Sequence, residues 1–356
     1  MLVNIVSFVF VLGLLVFIHE LGHFLVAKKV GIKVESFSLG FPPNIFSKKW
    51  GETKYCIGII PLGGYVKMAG ENPTEEASGS PDEFMSKSIS SRTAVIFAGP
   101  FMNYILAIIL LIGIFYFGGR PLTDDTKVLV GEVQQESPAE KAGLKADDRI
   151  ISVNGETVNQ FDSLAYRIHA IVEKPLDLTW VHGKDTIQST IVTMSVPMPN
   201  IEGGMDTVGI IGFNEKIIGY EEFGFFESVK MGTVMAHTLV VQTFDFISKL
   251  ISAEVSPKAI GGPLFIAQQS GKEAKKGVVN LFFFMALLSV NLAVINVIPI
   301  PVLDGGQLVF LAIEKLRGSP LSMKARMYSQ QVGVILLLGL IVMVTYNDII
   351  RLIQGY

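Results

Sequence analysis

A second cysteine is missing from the chain, and with only Cys56 no internal disulfide can form and no paired-cysteine zinc site can be built. Cys56 reads as a free, inert thiol. Charge is scarce as well: 17% of the 356 residues are charged and the formal net charge is −3, with no dense basic tract of the kind that follows phosphates, which sets nucleic-acid partners aside. What the chain has instead is apolar sequence. Half of its residues are hydrophobic, far more than an ordinary soluble enzyme of this length carries, so a membrane protein is the class to test first.

Residues 2–27 are almost unbroken apolar sequence closed by Lys28 and Lys29, and about 20 such residues suffice to cross the hydrocarbon core as a helix. A cleaved signal peptide would be shorter and would end at a small-residue cleavage site, whereas this run carries His19-Glu20-Leu21-Gly22-His23. Three more runs have span length, at about 94–117, 281–300 and 332–346. The stretch 220–255 is also rich in Phe, Val, Leu and Ile, but Glu227, Lys230, His237, Asp245 and Lys249 interrupt it at intervals that suit an amphipathic helix at the membrane surface. The expected fold is therefore an α-helical membrane protein with about four transmembrane helices, divided into a first membrane part (1–120) and a second (256–356).

Lysine and arginine near span ends tend to stay cytoplasmic. Between spans one and two lie Lys28, Lys29, Lys33, Lys48, Lys49, Lys54, Lys67, Lys87 and Arg92, and after span three lie Lys315, Arg317, Lys324 and Arg326. Both loops are expected inside, with the two termini and residues of about 120–280 outside. Glu71, Glu75, Glu76, Asp82 and Glu83 sit among Ser, Pro and Gly and read as a solvated acidic loop over 71–91.

Over 127–196 the pattern changes to short alternating runs separated by turn formers such as Asn154-Gly155 and His182-Gly183, which predicts a small β-rich domain inserted between the membrane parts. Within it, Ser137-Pro-Ala-Glu-Lys-Ala-Gly-Leu144 and Asp148-Arg-Ile-Ile-Ser-Val-Asn-Gly155 resemble the PDZ domains attached to bacterial proteases. Such domains take peptides by strand addition at a sheet edge; a plain spacer that blocks access is the alternative. His169 and His182 have no metal-ligand spacing and read as surface or structural groups.

His19 and His23, four apart, project from one helix face and can share a zinc ion, with Glu20 as the base that takes a proton from the attacking water. Two imidazoles and a carboxylate at bilayer depth are costly and persist for function. A catalytic zinc wants a third protein ligand. His237 is a candidate, but its segment is expected on the outer side; Asp304 is better placed, at the inner end of span three within Asn296-Val-Ile-Pro-Ile-Pro-Val-Leu-Asp-Gly-Gly306, where prolines and glycines break the helix.

His19-Glu20-Leu-Gly-His23 together with Asn296-x-x-Pro299-x-Pro301-x-x-Asp304-Gly-Gly resembles the site-2 protease family of intramembrane zinc metalloproteases, and Pro61-Leu-Gly-Gly-Tyr-Val-Lys-Met68, Ala98-Gly-Pro-Phe-Met-Asn103 and Gly261-Gly-Pro263 extend the likeness along the chain. With its PDZ-like insert the chain is similar to the RseP branch, although better-known members carry two tandem PDZ domains and this chain has room for one. The resemblance implies Zn2+ held by His19, His23 and Asp304 with Glu20 as general base, and a re-entrant β region at about 55–70 against which an unwound substrate strand adds. It further implies substrate contacts from Gly63, Gly64, Tyr65, Asn291, Asn296, Pro299 and Pro301. The substrates it implies are transmembrane proteins, such as anti-sigma factors already trimmed by a site-1 protease, or remnant signal peptides, in a bacterial cytoplasmic membrane. A catalytically dead scaffold and a zinc transporter are the rival classes; the first would lack a ligand or the glutamate, and the second needs neither a general base nor a peptide-binding domain.

Overall fold

A computed structural model of the chain describes residues 2–71, 79–199 and 205–354. Glu75 and Glu76 of the expected acidic loop lie outside the described residues. In chain order the elements are α1 (Leu2–Lys29), β1 (Val34–Trp50), β2 (Thr53–Met68), α2 (Ile89–Gly118), β3 (Arg120–Leu122), β4 (Val128–Val133), α3 (Pro138–Lys141), β5 (Arg149–Val153), β6 (Glu156–Thr157), α4 (Phe161–His169), β7 (Pro175–His182), β8 (Asp185–Val192), β9 (Met194–Pro199), β10 (Met205–Ile210), β11 (Phe213–Glu215), β12 (Gly219–Glu221), α5 (Phe225–Ile251), α6 (Pro263–Lys276), α7 (Val278–Val297), α8 (Asp304–Arg317) and α9 (Met323–Gln354). They divide into two compact units, one of residues 1–114, 226–247 and 257–356, the other of residues 115–225 and 248–256.

The first unit is helical with one β-hairpin. Among the described residues five helices are long and apolar enough to cross a membrane: α1, α2, α5, α7 and α9. Four coincide with the runs read from hydropathy, and α5, the least apolar of them, is the addition. Its Ala236 and Leu239 pack against Ala107 and Leu111 of α2 and Ala286, Val290 and Val294 of α7, so one face of it is covered by protein, while Val234, Val241 and Phe244 remain exposed. Helix α7 stops at Val297 because Pro299 disfavours helical backbone at Ile298. In the turn that follows, the amide of Ile300 donates to the Ile298 carbonyl at 2.7 Å and that of Leu303 to Ile300 at 2.9 Å, so the break satisfies its own backbone before α8 opens on Asp304.

The hairpin begins at Val34, ahead of the β region expected at about 55–70. Its two long strands fold back so that residues 34–39 lie between 64–68 and 54–57, while 44–50 pair with 53–58; two strands thus make four rungs, and 64–68 form a free edge. Ala27, Ile32, Val34, Met68, Val95, Ile96 and Leu311 form the cluster that joins this hairpin to α1, α2 and α8. Elsewhere in the unit α6 is capped from a distance: Oδ1 of buried Asp348 on α9 accepts from the Gly262 amide and Oδ2 from that of Phe265, both at 3.0 Å.

The second unit is β-rich, with strand order β11-β4-β5-β7-β8 and β6 beside β5. Its core is Val128, Val130, Ile150, Leu164, Leu176, Leu178, Trp180, Ile191 and Ile211, alternating along the strands as the sequence pattern requires. β11, beyond residue 196, belongs to this sheet because it pairs with β4 while Ile211 and Phe213 pack on the core. Ser137 caps α3 by accepting from the Glu140 amide, and His182 donates to buried Asp148 at 2.6 Å, a structural role.

Candidate metal centre

His19 and His23 lie on one face of α1, where the i, i+4 spacing stacks their rings edge to face with centroids 4.8 Å apart. What lets a second helix approach this face is the absence of a side chain. A Cβ on Gly99 of α2 would stand 2.3 Å from His23 Nε2, and one on Gly22 of α1 would stand 2.3 Å from the Ala98 carbonyl oxygen, so the two helices touch backbone to backbone at the imidazoles. The contact orients both rings. His23 Nδ1 donates to the Val95 carbonyl at 2.8 Å, and the amide of Asn103 lies 3.2 Å from His19 Nδ1.

The first residue of α8 completes the group. Asp304 Oδ2 is 3.2 Å from His19 Nε2 and 3.5 Å from His23 Nε2, and the two Nε2 atoms are 3.2 Å apart. A tetrahedral ion with bonds of about 2.0–2.1 Å holds its donor atoms about 3.3 Å from one another, so this triangle has the size of one face of such a site. Its chemistry agrees. A carbonyl can only accept, so His23 Nδ1 carries the hydrogen and Nε2 presents a lone pair; Asp304 Oδ2 is buried and receives no hydrogen bond. A lone pair and a carboxylate oxygen this close in a buried place need a cation or a proton beside them. The three residues are a group that could hold one metal ion.

Glu20 is beside them. The free edge of the hairpin runs past it: a Cβ on Gly64 would meet Glu20 Cγ at 3.0 Å. Tyr65, next along the edge, stacks on Phe41. The remaining candidates lie elsewhere in the same unit. Asn291 on α7 accepts from the Thr243 hydroxyl of α5 at 2.8 Å, Asn296 is half-buried near the end of α7, and Pro299 and Pro301 form the turn into α8.

Sequence reasoning missed three features of this unit. Glu71, expected in a solvated loop, is half-buried: burial pushes its carboxyl up to about 7 against the opposing Met68 amide, with Glu20 and Asp304 adding to the rise. It borders a cavity of about 390 Å3 that Tyr65, Met68, Arg92, Gln307 and Arg326 also line. Arg92 of α2 is buried and grips Glu314 of α8 with two hydrogen bonds, at 2.5 and 3.1 Å, and Arg326 of α9 approaches the same carboxylate at 3.5 Å. Asn103 was visible as part of a motif, but nothing local pairs it with a histidine 84 positions away.

A multi-pass membrane body in which two histidines and an aspartate converge beside a glutamate defines a class, that of membrane-embedded metalloenzymes. The chain belongs to peptidase family M50, whose sequence pattern matches residues 7–340. It is 31% identical to the zinc metalloprotease RasP of Geobacillus kaustophilus, over 97% of this chain and 97% of that one. It is 30% identical to the regulator of sigma-W protease RasP of Bacillus subtilis, over 99% of this chain and 100% of that one. Among solved structures, a PDZ domain of an SdrC-like protein from Listeria innocua is similar to 27% of this chain and 99% of that one, at 21% identity and a TM-score of 0.21. The chain is a zinc metalloprotease, with Zn2+ as its cofactor.

Proposed function

We propose that this protein is an intramembrane protease that hydrolyses peptide bonds in or near transmembrane segments, with His19, His23 and Asp304 holding the zinc and Glu20 acting as general base. The observation that carries the reading is the donor triangle of 3.2, 3.2 and 3.5 Å around a buried Asp304 oxygen that receives no hydrogen bond. When bound there, zinc supplies Lewis acidity that polarises the scissile carbonyl and brings the pKa of the attacking water toward about 7.

The chain's own residues do the rest. Glu20 takes the proton from the attacking water and returns it to the leaving amide nitrogen. Val95 holds the His23 ring through its Nδ1–H, leaving Nε2 free. A peptide bond inside a transmembrane helix is shielded by its own hydrogen bonds, so it has to be unwound; the edge at Gly63, Gly64 and Tyr65 offers the freed backbone new partners beside Glu20. Asn291 and Asn296 hold the substrate backbone further along, and the Pro299–Pro301 break opens the route to Asp304.

The substrates are membrane proteins of the anti-sigma-factor type, trimmed first by a site-1 protease, or remnant signal peptides; the Bacillus subtilis relative's name, a regulator of sigma-W protease, supports regulated proteolysis. The lysine and arginine distribution supports a cytoplasmic active site, with α5 not crossing the bilayer and both termini and the PDZ-like domain outside. That domain selects trimmed substrate, by gripping a new C-terminus or by excluding bulk.

Purified protein in detergent tests the assignment through zinc content and cleavage of a model transmembrane peptide. Wild type is expected to hold one zinc and cut. Glu20→Gln keeps the metal and loses about 10²–10⁴-fold in rate, the usual span for a general base, while Asp304→Asn weakens metal binding. A wild type that binds zinc yet cuts no such peptide, with Glu20→Gln changing nothing, removes the protease reading in favour of a scaffold or transporter.

A further inference from the structure

The two imidazoles of the metal centre are held differently, and only one holder is unambiguous. His23 Nδ1 faces a backbone carbonyl, which can only accept. His19 Nδ1 faces the side-chain amide of Asn103, which has a donor end and an acceptor end that exchange when the group turns by half a rotation. Which end faces His19 decides whether that ring can bind a metal through Nε2. With Asn103 Nδ2 donating, His19 Nδ1 is the acceptor, the ring hydrogen is on Nε2, and Nε2 has no lone pair to offer a metal. With Oδ1 turned to the ring, Nδ1 carries the hydrogen and Nε2 presents a lone pair, as His23 does.

The structure shows the first orientation, and it leaves a mark: Asn103 is fully buried and its Oδ1 has no hydrogen-bond partner. A buried acceptor without a donor is unfavourable by about 1–3 kcal/mol. Turning the amide gives Oδ1 the His19 Nδ1–H and puts Nδ2 where Oδ1 stood. Either way one amide atom is left over, so the partner at His19 decides the orientation. The residue itself is fixed in place, because its backbone carbonyl accepts from Ser289 Oγ of α7 at 2.7 Å, which ties α2 to α7 at this level.

We propose that Asn103 is the positioning residue of the metal centre, an amide that turns as zinc enters. It donates to His19 Nδ1 in the metal-free protein, when His19 Nε2 carries the ring hydrogen, and accepts from Nδ1–H once Nε2 binds the ion. This rests on the reading of His19 as a zinc ligand. It adds the group that sets its tautomer, the counterpart of the Val95 carbonyl at His23. Loss of such a group behind a metal-binding histidine typically weakens metal affinity about 10–100-fold.

Two near-isosteric variants separate this role from packing. Asn103→Asp can only accept, so it keeps the metal-binding tautomer; Asn103→Leu fills the space with no polar atom. Zinc affinity is measured in detergent by competition with a chromophoric chelator, beside thermal unfolding of the metal-free proteins. Asn103→Leu is expected to bind zinc about 10–100-fold more weakly, while Asn103→Asp stays within a few-fold of wild type. If Asn103→Leu binds as tightly as wild type, or Asn103→Asp loses as much as Asn103→Leu, the assignment falls. If Asn103→Leu fails to fold, Asn103→Asp alone decides: retention supports the role and a tenfold loss overturns it. In wild type, 15N spectra of labelled histidine read the tautomer without any variant; His19 should move its hydrogen from Nε2 to Nδ1 as zinc is added, and an unchanged tautomer overturns the switch. A wild type that takes up no zinc at all is a different result, since it defeats the metalloprotease reading itself.

Discussion

The two units are built on opposite rules. In the β-rich unit the buried positions are apolar, with Trp180, Leu178, Leu176 and Ile150 almost wholly inside and polar side chains used as caps and turn supports. The helical unit also buries apolar side chains, but among them lie groups a soluble core would reject: His23, Arg92, Asn103, Ser289, Glu314 and Asp348. Large apolar side chains there face outward: Leu2 is 76% exposed, and Ile335 and Val342 are both 69% exposed. Lipid is as apolar as leucine, so helices in a bilayer gain little by hiding leucines and are held by close backbone approach and by polar contacts. The contrast explains where chemistry can be placed. A unit already held by hydrogen bonds and ion pairs can carry two histidines and an aspartate at its centre, whereas a core of Trp180 and its neighbours has no partners for them.

The largest effect should come from the polar side of that contrast. Arg92→Met takes both of its hydrogen bonds from Glu314, which is 7% exposed, and leaves the carboxylate the more distant Arg326 at 3.5 Å; removing one partner of a buried pair is destabilising by about 3–5 kcal/mol. Thermal unfolding in detergent should show the loss, and Arg92→Met combined with Glu314→Leu should regain part of it, because replacing both charges by apolar groups is nearly neutral. Zinc content should fall with Arg92→Met as well, since Glu314 lies on the helix that opens with Asp304. An unaltered melting temperature would mean that the helical unit is held by apolar contacts after all, as the β-rich unit is.

A smaller effect sharpens the same point through pH. Glu71 has an ordinary value of 4.5 and stands at about 7 in the folded protein, so the native state holds its proton more tightly than the unfolded chain does. The stability this contributes is fully present below about pH 4.5 and is lost as pH rises through about 7. Glu71→Gln, which cannot ionise, should therefore gain on wild type across that window. The gain should reach about 1–3 kcal/mol by pH 8, toward the lower end because the group is only half-buried. Melting curves at pH 5 and pH 8 check it; a difference that does not change with pH would place Glu71 in solvent.

Legibility in the sequence followed how local each interaction is. His19, Glu20 and His23 were readable because one helical turn brings them together, and Asp304 because prolines and glycines mark a broken helix beside it. The β-rich domain was readable from alternation and turn formers, although β11 joined the sheet from beyond the alternating stretch. The Arg92–Glu314 pair, 222 positions apart, and the Asn103–His19 contact leave no such trace. Their partners are set by which helices meet, and the meeting is decided by small residues such as Gly22 and Gly99 whose purpose shows only when a neighbouring backbone is in place. Helix α5 was read as a surface helix for a related reason. Its charges argue for a water-facing side, while its coverage by α2 and α7 depends on side chains from distant parts of the chain.

The smallest expected effect is the most direct test of the two building rules. Ile335 on α9 and Leu178 in β7 are aliphatic residues of the same size, the first 69% exposed and the second 0% exposed. Truncating Leu178 to alanine removes contacts on every side and leaves a cavity, with an expected loss of about 2–5 kcal/mol. Truncating Ile335 to alanine exchanges one apolar surface for a smaller one against lipid or detergent, and the change should stay within about 0.5 kcal/mol. Both can be read from unfolding of the same preparation, the first from the β-rich unit and the second from the helical one. A loss at Ile335 approaching that at Leu178 would mean that the outward face of α9 is packed by protein in the membrane, and the surface taken here as lipid-facing would have to be counted as an interface.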